Sequence, residues 1–197
     1  MCIAAENTAP RLNPRTNMDI MNEQIRQIGE EIVAEGKIQN GDSVVLRGDS
    51  ISDNWMIMNS LTETFRSHQC RVFQGTDSVR STRFLIDLHP IQWNVHYDNI
   101  FHTGIFGQKF LTRSITSQVS FRILSGINNE ILTSKTTDKT FIDTVAMDAL
   151  PAIENRSIKS TLGILPPDPF LDKVIEPFII IGAAGVAIYL LFHIRSS

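Results

Sequence analysis

Ile115-Thr-Ser117-Gln-Val119-Ser-Phe121-Arg-Ile123 alternates between two kinds of side chain at every step. Ile115, Ser117, Val119, Phe121 and Ile123 share one side, and Gln118, Ser120 and Arg122 share the other. A period of two belongs to a β-strand with one face packed and one face wet. The same alternation occurs upstream, where Ile91, Trp93, Val95 and Tyr97 interleave with Gln92, Asn94, His96 and Asp98. Downstream, Ser125-Gly-Ile-Asn-Asn-Glu130 has hairpin-loop composition, and Ile131–Ser134 returns antiparallel. Residues 140–145 either extend that edge or begin another element. Ala146–Ile153 suits a short helix that Pro151 breaks or kinks.

Before this meander the period is helical. Met21, Ile25, Ile28 and Ile32 recur at spacings of four, three and four, with Asn17 and Asp19 offering N-cap chemistry. Ser43-Val-Val-Leu46 reads as a buried strand. Trp55, Met58, Leu61 and Phe65 form a second helical stripe, and Arg71–Gln74 forms another strand. Trp55 and Trp93 are expected in the core. The predicted fold is α+β, with a single mixed or antiparallel sheet and two amphipathic helices on one of its faces.

Two flanks complete the organisation. Residues 1–16, with Pro10 and Pro14, form a flexible leader, and the globular domain occupies 17–160. Residues 161–173 are a Pro-rich spacer, and 174–195 are expected to form a transmembrane helix. No charge falls between Pro177 and Phe192, and a helix crosses a bilayer in roughly 17 to 25 residues. Within it Gly182, Ala183, Gly185 and Ala187 make a small-residue patch that allows close approach of another membrane helix. The expected partners are thus the lipid bilayer and a protein, or a second copy through the anchor. Met1-Cys-Ile-Ala-Ala5 lacks a basic segment followed by an apolar run. Read literally, the chain is a single-pass, tail-anchored protein with a cytosolic domain. A missing export signal would make that domain periplasmic.

Composition narrows the chemistry. Net charge is −3, with 18 basic and 21 acidic residues mixed along 197, which excludes a nucleic-acid footprint. Two cysteines, Cys2 and Cys70, make neither a disulfide framework nor a metal-ligand spacing. Cys70 suits a small packed residue beside a strand. His89, His96 and His102 lie seven and six residues apart, unlike the tight pairs of zinc sites. Asp138, Asp143 and Asp148 match neither helical nor strand spacing. No phosphate loop is present, and no cofactor or metal is expected.

One enzymatic alternative remains. A strand ending in Gly48-Asp49-Ser50 resembles the nucleophile block of SGNH hydrolases, with Ser50 in the attacking role. Gly126-Ile-Asn128-Asn129 imitates their second block only in part, and no Asp-x-x-His follows to supply the base. Without that base, Gly48 to Asp53 serves to turn the chain into the second helix.

The order helix 18–35, strand Val44–Leu46, helix 53–67 and strand Val72-Phe73 resembles a bacterial envelope domain. The strand Ser117–Leu124, its Asn-bearing turn and the strand Glu130–Ser134 extend the similarity. This domain occurs in curli-secretion lipoproteins, penicillin-binding-protein activator lipoproteins and the TolB amino-terminal domain. The resemblance covers residues 18 to 145 as a pattern and brings no catalytic residues. It implies a scaffold or assembly role in the cell envelope. The chain departs from the family in its C-terminal apolar segment and in showing neither an export signal nor a lipobox. The function expected is a non-catalytic, membrane-anchored envelope protein.

Overall fold

A computed structural model describes residues 14–48, 54–75, 82–102, 107–167 and 179–191. The chain divides into two compact units, Met1–Leu165 and Pro166–Ser197. In the first, α1 (Asn17–Glu35) precedes β1 (Ser43–Gly48), α2 (Asn54–Ser67) and β2 (Arg71–Gln74). Three long strands follow: β3 (Phe84–His102), β4 (Lys109–Ser125) and β5 (Ile131–Ala146). A 3-10 turn (Met147–Ala149), the short helix α3 (Leu150–Ile153), a second 3-10 turn (Lys159–Thr161) and β6 (Gly163–Ile164) close the unit.

The sheet is mixed, in the order β2-β1-β3-β4-β5. β1 runs parallel to β2 and to the start of β3, while β4 and β5 return antiparallel. β1 covers β3 only over Phe84–Leu88, so the farther half of β3 has an edge to fill. β6 fills part of it, pairing Val95 with Gly163 and His96 with Ile164 in parallel. Gly163 is required there, because a Cβ would lie 2.1 Å from the Tyr97 ring.

The alternation of β4 is expressed along its whole length. Leu111, Ile115, Val119, Phe121 and Ile123 are buried beneath the two main helices. Those helices pack side by side, and α1 spans the inner faces of β4 and β5. Ile25, Ile28 and Ile32 of α1 join Leu61 and Phe65 of α2 in one apolar cluster. A second cluster gathers Ile20, Met21, Val95, Tyr97 and Leu111 around the amino-terminal half of α1. β5 is the edge strand, and its inward Lys135 and Lys139 bind Glu35 and Glu31 of α1. Charges turned inward on an edge discourage pairing with foreign strands.

Several local expectations are corrected. The cap of α1 is Thr16, whose hydroxyl accepts from the Asp19 amide at 3.1 Å, not Asn17 or Asp19. The stripe that α2 buries runs through Ile57, Leu61, Thr64 and Phe65, which leaves Trp55 outside at 52% exposure. Met56-Ile57-Met58 supplies apolar side chains around the whole first turn, so two helix phases fit the sequence equally well. Ile91 is 58% exposed because the β3–β4 register slips between Pro90 and Gln92, which turns that one residue out of the alternation. Residues 131–146 form one continuous strand rather than two elements.

In the second unit, residues 179–191 form a helix, α4. Among the described residues no helix is long and apolar enough to cross a membrane. At about 1.5 Å per residue, α4 as described spans roughly 20 Å, against about 30 Å of hydrocarbon. The membrane-spanning helix expected over 174–195 is therefore not shown, and both of its ends lie outside the described residues.

Candidate functional site

α2 is the crossover between two parallel strands, and it begins above the carboxyl end of β1. In parallel sheets that end gathers ligands, because strand carboxyl ends and helix amino ends open onto one crevice. A cavity of about 460 Å³ lies there, lined by Arg47, Gly48, Trp55, Met58, Asn59 and Gln74. A longer groove of about 660 Å³ runs between the outer faces of α1 and α2. Asp19, Glu23, Glu30 and Glu63 line it with Arg26, and Trp55 belongs to both hollows. An exposed indole thus stands at the junction of the two grooves.

The charges in the groove are partly neutralised among themselves. Arg26 donates to Glu23 at 2.7 and 3.0 Å and lies 3.9 Å from Glu30. The Arg26 hydrogen bond holds the Glu23 carboxyl below its usual range and raises the guanidinium. Glu30 also meets the His68 ring at 2.8 Å. These are ion-paired carboxylates on a wet surface.

A second constellation is buried. Arg113 is fully enclosed and makes a two-pronged pair with Asp143, at 2.8 and 2.6 Å. Its remaining nitrogen donates to the Asn17 side-chain oxygen at 2.7 Å and to the Arg15 carbonyl at 2.8 Å. Asn17 in turn donates to the Tyr97 hydroxyl at 3.0 Å and to the Thr161 carbonyl at 2.8 Å. Burial pushes the Tyr97 phenol well above its ordinary range, and the nearby Glu154 carboxylate adds to the rise. Glu154 also accepts the Gly163 amide at 3.0 Å. Nearby, Gln24 accepts from Ser117 at 2.5 Å and donates to the carbonyls of Ile115 and Lys139. These bonds join α1 to β3, β4, β5 and the 154–164 segment, so the cluster is architectural.

Ser50 lies outside the described residues, as do Asp49, Ile51, Ser52 and Asp53. Gly48, the first residue of the Gly48-Asp49-Ser50 block, ends β1 opposite Leu88. The turn holding Gly126, Asn128 and Asn129 follows Ser125, which pairs with Phe84 at the other end of β1. About 15 Å of strand separates Gly48 from the end of β1 that adjoins this turn. His89, His96 and His102 are spread along β3. His96 contacts Asp98 at 3.1 Å on the outer face. Asp143 is bound to Arg113, Asp148 accepts from Gln108 at 3.1 Å, and Asp138 sits opposite Gln118. Among the described residues no group of three or more His, Cys, Asp or Glu could hold a metal ion. Cys70 is buried beside β2, and burial raises its thiol; Cys2 lies outside the described residues.

Gly182, Ala183, Gly185 and Ala187 all lie within α4, and open space surrounds the two glycines. Trp55, Asn17 and Arg113 are the residues that sequence reasoning misplaced or missed. The signal for Arg113 is the alternation itself. Two steps back from Ile115 on the inward side is Arg113.

No family model and no curated protein matches the chain. Among solved structures it is similar to the LpoB C-terminal domain from Salmonella enterica, with 7% identity and a TM-score of 0.37, over 60% of this chain and 97% of that one. It is also similar to lipoprotein B from Nitrosomonas europaea, with 13% identity and a TM-score of 0.38, over 78% and 81%. Lipoprotein GNA1162 from Neisseria meningitidis gives 9%, 0.33, 73% and 99% for the same quantities. Two of the three are lipoproteins by name. No site residue is carried over from them.

Proposed function

We propose that this chain is a non-catalytic, membrane-anchored envelope protein that serves as a scaffold or assembly factor. The observation that carries this reading is α4. From Ile179 to Leu191 it is apolar on every side, and every one of its residues is exposed. A helix that is apolar all round belongs in the core of a large protein or in a membrane. The uncharged stretch continues through Phe178 and Phe192, and with its flanks the segment 174–195 reaches spanning length. Within the bilayer, the small residues Gly182, Ala183, Gly185 and Ala187 would let a second helix pack closely.

The domain's share of the function is recognition. Its buried ion pair is committed to holding elements together, while Arg26 pairs with Glu23 along α1 and Glu30 meets His68 just beyond α2. Trp55 is the natural anchor for a protein partner, since exposed tryptophans contribute large contact area with few rotatable bonds. Solubilising the full chain from its own membrane in mild detergent and measuring particle mass tests the reading. An assembly heavier than one chain, weakened by Trp55→Ala, is expected. A lone monomer would count against it.

A further inference from the structure

We infer that the groove between α1 and α2 receives a cationic helix of a protein partner, which sets lysine or arginine against the groove's carboxylates and an apolar side chain on Trp55. This deepens the recognition reading and rests on it.

The two helices lie side by side and run in the same direction. Ser60 donates to Asn22 at 3.0 Å and, two turns on, the His68 ring meets Glu30 at 2.8 Å. Their outer faces bound a trough of about 660 Å³. From Met18 to Glu30 its α1 wall is roughly 18 Å long, the length of about three turns of a docked helix. The shared direction puts the first turn of α2 beside Met18, so the exposed Trp55 stands at one end and Glu30 at the other. An apolar anchor at one end of a trough between helices suits helix-in-groove recognition.

Charge selects the occupant. Among the described residues that line the trough, the carboxylates of Asp19, Glu23, Glu30 and Glu63 face the one guanidinium of Arg26, which leaves a formal −3. Arg26 is already committed to Glu23 at 2.7 Å and lies 3.9 Å from Glu30. Asp19 on α1 and Glu63 on α2 are exposed, and no side chain among the described residues pairs with either carboxylate. A phosphate-bearing partner would meet like charge. A second copy docked two-fold through the same face would set −3 against −3. An uncharged helix would strip water from the carboxylates and return nothing. A metal ion is not favoured, since among the described residues no three His, Cys, Asp or Glu come together to hold one. Cations spaced three or four apart on a helix share one face and answer both walls. Trp55 then takes the partner's apolar side chain, or the flat of an arginine.

Peptide binding to the full chain in maltoside micelles tests this. The probe is an alanine-based helix of about four turns with lysines and one leucine along a single face, and its counterpart carries glutamates in place of the lysines. The chain has two tryptophans, so NMR follows two indole signals, which Trp55→Phe assigns. The lysine peptide is expected to move the Trp55 signal and leave that of Trp93 in place, and the glutamate peptide to move neither. Asp19→Asn and Glu63→Gln should each weaken binding about threefold. Asp138→Asn, exposed on β5 opposite Gln118, should leave it unchanged. No shift at Trp55, an equal shift with the glutamate peptide, or an equal loss in Asp138→Asn overturns the inference. Each of those leaves the scaffold reading standing where the solubilised chain still runs as an assembly weakened by Trp55→Ala. A lone monomer overturns that reading whichever peptide binds.

Discussion

The two halves of the core are held together by different physics. Around Ile28, Ile32, Leu61, Phe65 and Phe121 the contacts are apolar throughout, and shape and area set the stability. Around Tyr97, Leu111 and Ile115 an apolar shell surrounds Arg113, Asn17 and Gln24, which must be satisfied bond by bond. The first kind of core degrades gradually when a methylene is lost. The second is intolerant of losing one partner, because the remaining groups stay buried and unpaired.

Arg113→Met is expected to give the largest loss, about 4 kcal/mol, since it strands Asp143 and the Asn17 carbonyl oxygen. Urea unfolding would measure it. Adding Asp143→Leu should recover part of that loss, and a double variant no better than the single one would break the contrast between the halves. Leu61→Ala in the apolar half should cost about 3 kcal/mol by the same measurement, with no second-site rescue.

Two pH predictions sharpen the contrast. The Tyr97 phenol titrates higher folded than unfolded, so its contribution is fully present below about pH 10 and is lost as pH rises beyond it. Alkaline unfolding should start near that pH and be delayed in Tyr97→Phe. Glu31 behaves oppositely. Burial alone would raise its carboxyl, but hydrogen bonds from Lys139 and Thr137 outweigh that and lower it. Its contribution is present above about pH 4.5 and falls as the carboxyl protonates below it. Glu31→Gln should flatten the acid limb of melting temperature against pH. The smallest effect is expected at Trp55, where Trp55→Ala should shift stability by no more than about 0.5 kcal/mol. A large shift there would make Trp55 part of the core and not of the proposed recognition surface.

The apolar half was readable because its periodicity is unbroken. Ile25, Ile28 and Ile32 could face only one way, and the alternation through Phe121 and Ile123 set the inward face of β4. The polar half was not, because its decisive residues have surface character by type. Arg113 stands on the inward side of the same alternation, yet nothing local indicates that Asp143, thirty residues on, will neutralise it. Asn17 has the chemistry of a helix cap, and Thr16 one position earlier takes that role. A single sheet followed from the order of elements, which left it mixed or antiparallel, whereas the bulges that expose Ile91 and turn out the end of β3 leave no clear mark. The exposure of Trp55 was hidden by an ambiguity of helix phase, since Trp55 fits one apolar stripe of α2 and Ile57 another.

The most direct test of the account is alkaline extraction of membranes carrying either the full chain or a chain ending at Leu165. The full chain should stay with the lipid pellet, and the shortened one should move to the supernatant with its circular dichroism intact. Release of the full chain by alkali, in the same fraction as the shortened one, would contradict a membrane anchor at 174–195.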